Sequence, residues 1–144
     1  MPGKLTATAR WVEGLQFVGE SGTGHAVVMD ATPDKGGRAT GPKPMELLLV
    51  ALGGCTGMDM ASLLRKMRVD YSNIEVNVTG NWVDKDDYPY WFETIEVEYV
   101  VTGRDVPEEQ VRKAIGLSEG KYCNVSQNLK GVSKITTSYK IVNI

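Results

Sequence analysis

Pro42 to Arg68 reads PKPMELLLVALGGCTGMDMASLLRKMR, and from Pro44 onward it is the longest apolar segment of the chain. Pro44 suits a first helical turn, where its missing N–H leaves no bond unmade. Glu46 stands at the positive end of the helix dipole, and Arg65, Lys66 and Arg68 crowd the negative end. The spacing predicts one long helix over 44–68. Its apolar positions are 47 to 52, then 55, 58, 60, 61, 63, 64 and 67. They cover too much of the circumference for a surface helix, so burial on most sides is expected. A chain of 144 residues has little material to enclose such a helix, and a partner subunit is expected. Gly53, Gly54 and Gly57 surround Cys55, each costing about 1 kcal/mol relative to Ala inside a helix. A helix that carries them is expected to have something packed close, either another helix or a ligand.

Upstream, Leu5, Ala7, Ala9 and Trp11 alternate with Thr6, Thr8 and Arg10, the period of a half-buried strand. Gly14 marks a turn before a short strand over 15–18. Ser21 to Gly24 reads as a hairpin loop, and HAVVMDA over 25–31 as a third strand. PDKGGRATGPK over 33–43 is turn chemistry with Arg38 in its middle. Downstream, Ile74, Val76 and Val78 alternate with polar residues, and Ile95, Val97, Tyr99 and Val101 do the same, which predicts a hairpin around the polar turn DKDDYP. Tyr88, Tyr90 and Trp91 beside that turn read as hairpin packing. Pro107 opens a second helix with Val111, Ala114, Ile115 and Leu117 inward. It is expected to break around Gly120 to Cys123 and restart at a capping box formed by Asn124 and Gln127. A last strand fills 134–144. The order βββ-α-ββ-α-β predicts an α+β fold, taken as one domain over 1–144.

Composition narrows the function. With 42% hydrophobic and 24% charged residues and a net charge of −2, nothing supports a nucleic-acid or anionic-membrane partner. The N-terminal MPGKLTATAR lacks the apolar core of a signal peptide. The central apolar run, broken by Asp59, Arg65 and Lys66, reads as too short to span a bilayer. A cytoplasmic location is expected. Phosphate-loop, dinucleotide-binding, HExxH, CxxC and GxSxG patterns are all absent.

The two cysteines, Cys55 and Cys123, lie 68 positions apart. In a reducing compartment they are either buried and inert or a redox pair, and local sequence leaves both open. With His25 as the only further soft ligand, a structural zinc site within one chain is not expected. A reactive thiolate needs a cation or a helix N-terminus. Cys55 lies about three turns into its helix, beyond the dipole's reach, so Arg38 and Arg10 are the candidate activators. Cys123, at the mouth of a helix capped by Asn124, is expected to be the more acidic thiol on local grounds.

PMELLLVALGGCTGMDMASLLRKM, followed later by KYCNVSQNL, resembles the OsmC/Ohr family of thiol-dependent hydroperoxide-detoxifying proteins, in element order as well as in motif. The resemblance implies an intertwined homodimer with the central helices packed together, a hydroperoxide substrate, a dithiol reductant, and no metal or organic cofactor. It makes Cys55 the peroxidatic thiol and Cys123 the resolving one, with Arg38 and Glu46 as the accompanying arginine and carboxylate. An interface arginine would reconcile that assignment with the local electrostatics. The pattern departs in three places. The family arginine has no clean counterpart, with Arg38 in the loop before the helix and Arg10 on the first strand as the candidates. Asn124 stands where proline is usual, and Met45 stands where the family glutamate follows the proline, with Glu46 one place later. One residue turns a helical side chain by about 100°. The alternative expectation is therefore an OsmC-like protein without peroxidase activity, binding a small apolar or thiol-reactive ligand at the dimer interface.

Overall fold

The computed structural model describes residues 3–144. Two compact units divide the chain, one running to Leu48 and the other from Leu49 to Ile144.

In the first unit, the alternating N-terminal segments form three antiparallel strands, β1 (Ala7–Glu13), β2 (Gln16–Ser21) and β3 (Ala26–Met29), ordered β1-β2-β3. Trp11 faces Phe17 across one pair and Phe17 faces Met29 across the next. All seven residues of β1 are exposed, so the expected half-burial is not found within the single chain. Alternation prepares an apolar face, and only a covering layer buries it.

The loop after β3 is organised by one carboxylate. Asp30 is 3% exposed and accepts from the amides of Ala31, Arg38 and Thr40 and from the Thr40 hydroxyl at 2.6 Å. These donors hold its carboxyl below the usual range, the Thr40 hydroxyl bond most of all. Gly37 is required here, because a Cβ would lie 2.1 Å from the Ala31 carbonyl oxygen.

The central helix α1 (Pro44–Lys66) begins in the first unit and runs through the second. Glu46 accepts from the Lys43 amide at 2.9 Å, the backward half of a capping box. At the other end Val69 N–H bonds to Leu64 C=O and Arg68 N–H to Arg65 C=O, with Arg68 at φ 58°. That is a Schellman stop with arginine in the left-handed position, two residues before the sequence-predicted end.

Burial of α1 within the chain is narrower than its composition suggests. Leu52, Thr56, Met60 and Leu64 form a single buried stripe at i, i+4 spacing, while Val50 is 64% and Met58 76% exposed. Gly53 is where the helix comes close to a neighbour: a Cβ there would sit 3.2 Å from Val78 Cγ2. The expected close packing is thus against a strand, and Gly54 has nothing within 4 Å of a built Cβ. At 23 residues α1 is also long and apolar enough to cross a membrane, which corrects the length argument made from sequence.

The second unit continues with β4 (Tyr71–Trp82), β5 (Phe92–Gly103), α2 (Glu108–Leu117), a π-helical turn over Ser118–Tyr122, α3 (Asn124–Leu129) and β6 (Lys134–Asn143). β5 lies between β4, antiparallel, and β6, parallel. Its inward set of Ile95, Val97, Tyr99 and Val101 is buried, as the period-two pattern predicts, and Phe92 is buried outside that period. Val111, Ala114 and Ile115 of α2 are buried with them. The mixed α+β architecture and the βββ-α-ββ-α-β order match the sequence expectation, with the second helical segment broken where expected.

Candidate active site

Cys55 and Asp59 are four residues apart on α1, so their side chains share a face. Cys123 arrives from the far end of the unit as the N-cap of α3, with φ −77° and ψ 99°. The fold brings the three together: the two sulfurs and a carboxylate oxygen of Asp59 lie within 4.8 Å of one another. Both cysteines are free thiols, Cys55 half-buried and Cys123 buried.

The π turn before Cys123 ties this arrangement down. Ser118 Oγ donates to Asp59 Oδ2 at 2.8 Å, and the Ser118 carbonyl accepts the Cys123 amide at 2.8 Å. One buried serine therefore connects the carboxylate on α1 to the backbone of the second cysteine. Ser126 completes the cradle. Its amide donates to Cys123 Sγ at 3.4 Å and its hydroxyl to the Cys123 carbonyl at 3.0 Å.

Two sequence expectations about Cys123 are corrected here. The residue that caps the helix is Cys123 itself, with Asn124 in the first helical position. Its thiol is also not acidified: burial pushes its pKa up, and the hydrogen bond with the Cys55 thiol adds to this. The Ser126 amide and hydroxyl act in the opposite direction, and desolvation outweighs them.

Tyr99, on the inward face of β5, is fully buried. Among the described residues its hydroxyl is the buried side-chain polar atom with no hydrogen-bond partner. Desolvation pushes this phenol up to about 12, with Glu119, Cys123 and Asp59 contributing in the same direction. The hydroxyl of Thr56, donating instead to the Gly53 carbonyl at 3.4 Å, is the group that acts against the shift.

The remaining residues singled out from the sequence lie in the first unit. Arg38 forms an ion pair with Glu13, and Arg10 pairs with Glu20 at 3.5 Å. Both pairs are exposed, a class worth about 0–1 kcal/mol and readily exchanged for another partner. Glu46 is exposed and occupied with its cap. Sequence reasoning missed Asp59, Ser118 and Tyr99. Asp59 did carry a signal, since a carboxylate four residues after a cysteine on an apolar helix needs a polar partner. Ser118 and Tyr99 carried none, because their roles depend on chain crossings that local pattern does not encode.

The α+β fold thus brings a free thiol on its long central helix against a second free thiol at a short helix's N-cap. The family model described as OsmC-like protein matches residues 35–138. The chain belongs to the OsmC family. Over 138 residues it is 41% identical to Protein YhfA of Escherichia coli K12, covering 96% of this chain and 98% of that one. An OsmC-like protein from Mycoplasma pneumoniae superposes with a TM-score of 0.84 at 21% identity, covering 99% and 100% of the two chains. An organic hydroperoxide resistance protein from Legionella pneumophila shares the fold at a TM-score of 0.68 and 10% identity, covering 99% and 98%.

Proposed function

We propose that this protein is a cysteine-based hydroperoxide reductase in which Cys55 is the peroxidatic and Cys123 the resolving thiol. The observation that carries the reading is the approach of the two sulfurs to within 4.8 Å on an OsmC-family fold. Disulfide formation would close that gap to roughly 2.05 Å. Cys55, the more exposed of the two, attacks the distal oxygen of the hydroperoxide as thiolate. The O–O bond breaks, an alcohol leaves, and Cys55 becomes a sulfenic acid. The Cys123 thiol then attacks that sulfur, a disulfide forms and water leaves, and a dithiol reductant returns both cysteines to thiols. The raised pKa of Cys123 suits a thiol that waits protonated until the sulfenic acid is present. Arg38 and Glu46 remain the proposed cation and carboxylate acting on Cys55. Arg38 would leave Glu13 at little cost, because that pair is exposed.

The proposed assembly is a homodimer, and the proposed location is the cytoplasm. Exposed Val50, Met58 and open Gly54 on α1, with exposed Trp11 and Phe17 on the first sheet, are the kind of apolar surface a second copy covers. Alignment of YhfA along nearly the whole chain supports reading residues 1–144 as a single OsmC-like domain. The test is mass spectrometry after one equivalent of cumene hydroperoxide. The expected products are an intrachain Cys55–Cys123 disulfide in the wild type and a trappable Cys55 sulfenic acid in Cys123→Ser. If neither forms, the peroxidase reading fails.

A second reading is a non-peroxidase OsmC-like protein that holds a small apolar or thiol-reactive molecule. It is favoured by Met45 in the position of the family glutamate and by an apolar groove lined by Leu49, Val50, Gly53, Gly54, Val76 and Val78. Ligand binding without peroxide consumption would select it.

A further inference from the structure

The third member of the thiol cluster has no part in the peroxide chemistry above. We propose that Cys55, Asp59 and Cys123 in their reduced state form a reversible zinc site, so that a thiophilic divalent cation competes with peroxide for the same thiols. Zinc takes sulfur at about 2.3 Å and carboxylate oxygen at about 2.0–2.2 Å, which in a tetrahedron separates two sulfurs by about 3.8 Å. The three donors already lie within 4.8 Å of one another, so binding asks each pair to close by about 1 Å at most. Two sulfurs select against magnesium and calcium and in favour of zinc. Cys55 and Asp59 share one helical face, and the Ser118 hydroxyl orients the carboxylate, the outer support that metal ligands require.

A second observation points the same way. The buried Tyr99 hydroxyl feels the charges of Glu119, Cys123 and Asp59, and among the described residues it has no hydrogen-bond partner. A water in the fourth zinc position would supply one. The sequence argued against zinc only because it counted cysteines and the single histidine; the fold contributes a carboxylate as the third ligand. The inference does not depend on peroxidase activity, since chelation needs only the reduced thiols.

The experiment is zinc titration of untagged, reduced protein against a chromogenic chelator, with cobalt substitution as the spectroscopic readout. One metal per chain is expected, with thiolate-to-cobalt charge-transfer absorption and the visible bands of a tetrahedral site. Asp59→Asn keeps an acceptor for Ser118 and is expected to weaken binding by about 10-fold or more. Cys55→Ser and Cys123→Ser are expected to abolish the charge-transfer signal, and prior oxidation of wild type to the disulfide to abolish binding. His25→Asn is expected to change nothing. To separate lost binding from misfolding of a cysteine variant, wild-type protection of both thiols from iodoacetamide by zinc is a separate arm. Binding that survives the Cys55/Cys123 double replacement, binding equal in Asp59→Asn, or no thiol protection by zinc would each overturn the proposal. A wild type that binds zinc but consumes no peroxide would uphold this site while refuting the peroxidase reading.

Discussion

Tyr99 places a phenol in the core with its hydroxyl unpaired, an arrangement that costs about 1–3 kcal/mol. Tyr99→Phe is therefore expected to stabilise metal-free protein by on the order of 1 kcal/mol near neutral pH, measured by urea unfolding. The alkaline limb should differ as well. The folded pKa of about 12 lies above the phenol's ordinary value of 10.0. The stability linked to a neutral phenol is thus complete below pH 10 and is lost as pH rises through 12. The phenylalanine variant should lack this loss, and parallel alkaline limbs in the two proteins would contradict it. At this scale the sequence was only half legible. Cys55 and Cys123 stood out as the only two thiols, but their relative acidity did not. Local helix-mouth electrostatics favoured an acidic Cys123, whereas desolvation, a property of the packed interior, decides the direction.

Among the elements, the loop between β3 and α1 rests on one buried carboxylate. Asp30 has its pKa lowered, so the stability it contributes is present above the unfolded value near 3.8 and is lost as pH falls through the folded one. Asp30→Asn is expected to destabilise the loop at neutral pH, seen as faster amide exchange at Arg38 and Thr40. That difference should shrink in acid, and unchanged exchange at neutral pH would sink the assignment. The elements themselves were largely written in local pattern: the period of β5, the proline starts of α1 and α2, and the break before α3 all read correctly. What failed was burial. The apolar residues of β1 and the flanks of α1 are exposed in the single chain, because periodicity shows which face wants cover and not what covers it. The Schellman stop at Arg68 was also hidden, since arginine gives no hint of a left-handed backbone.

For the whole molecule, the uncovered side of α1 is the feature that matters. If a second copy covers it, Met58→Glu places a charge in that contact and should shift the protein toward monomer in sedimentation experiments, with the far-ultraviolet spectrum preserved. A wild type that is monomeric at all concentrations would remove the dimer from the proposal. The α+β class and the family were legible at this scale because the two cysteine motifs and the element order agree along the chain. The meeting of Asp59 with Cys123 was not, because it depends on α1 and the π turn converging across the second unit.

That convergence has a consequence in chain entropy. A bond between Cys55 and Cys123 would close a loop of 68 residues, which by loop-closure arguments restricts the unfolded chain by about 4 kcal/mol. Every turn of an oxidation–reduction cycle would thus alternate a cross-linked chain with an open one. The oxidised protein should melt several degrees higher than the reduced one, making the redox state readable as a melting temperature.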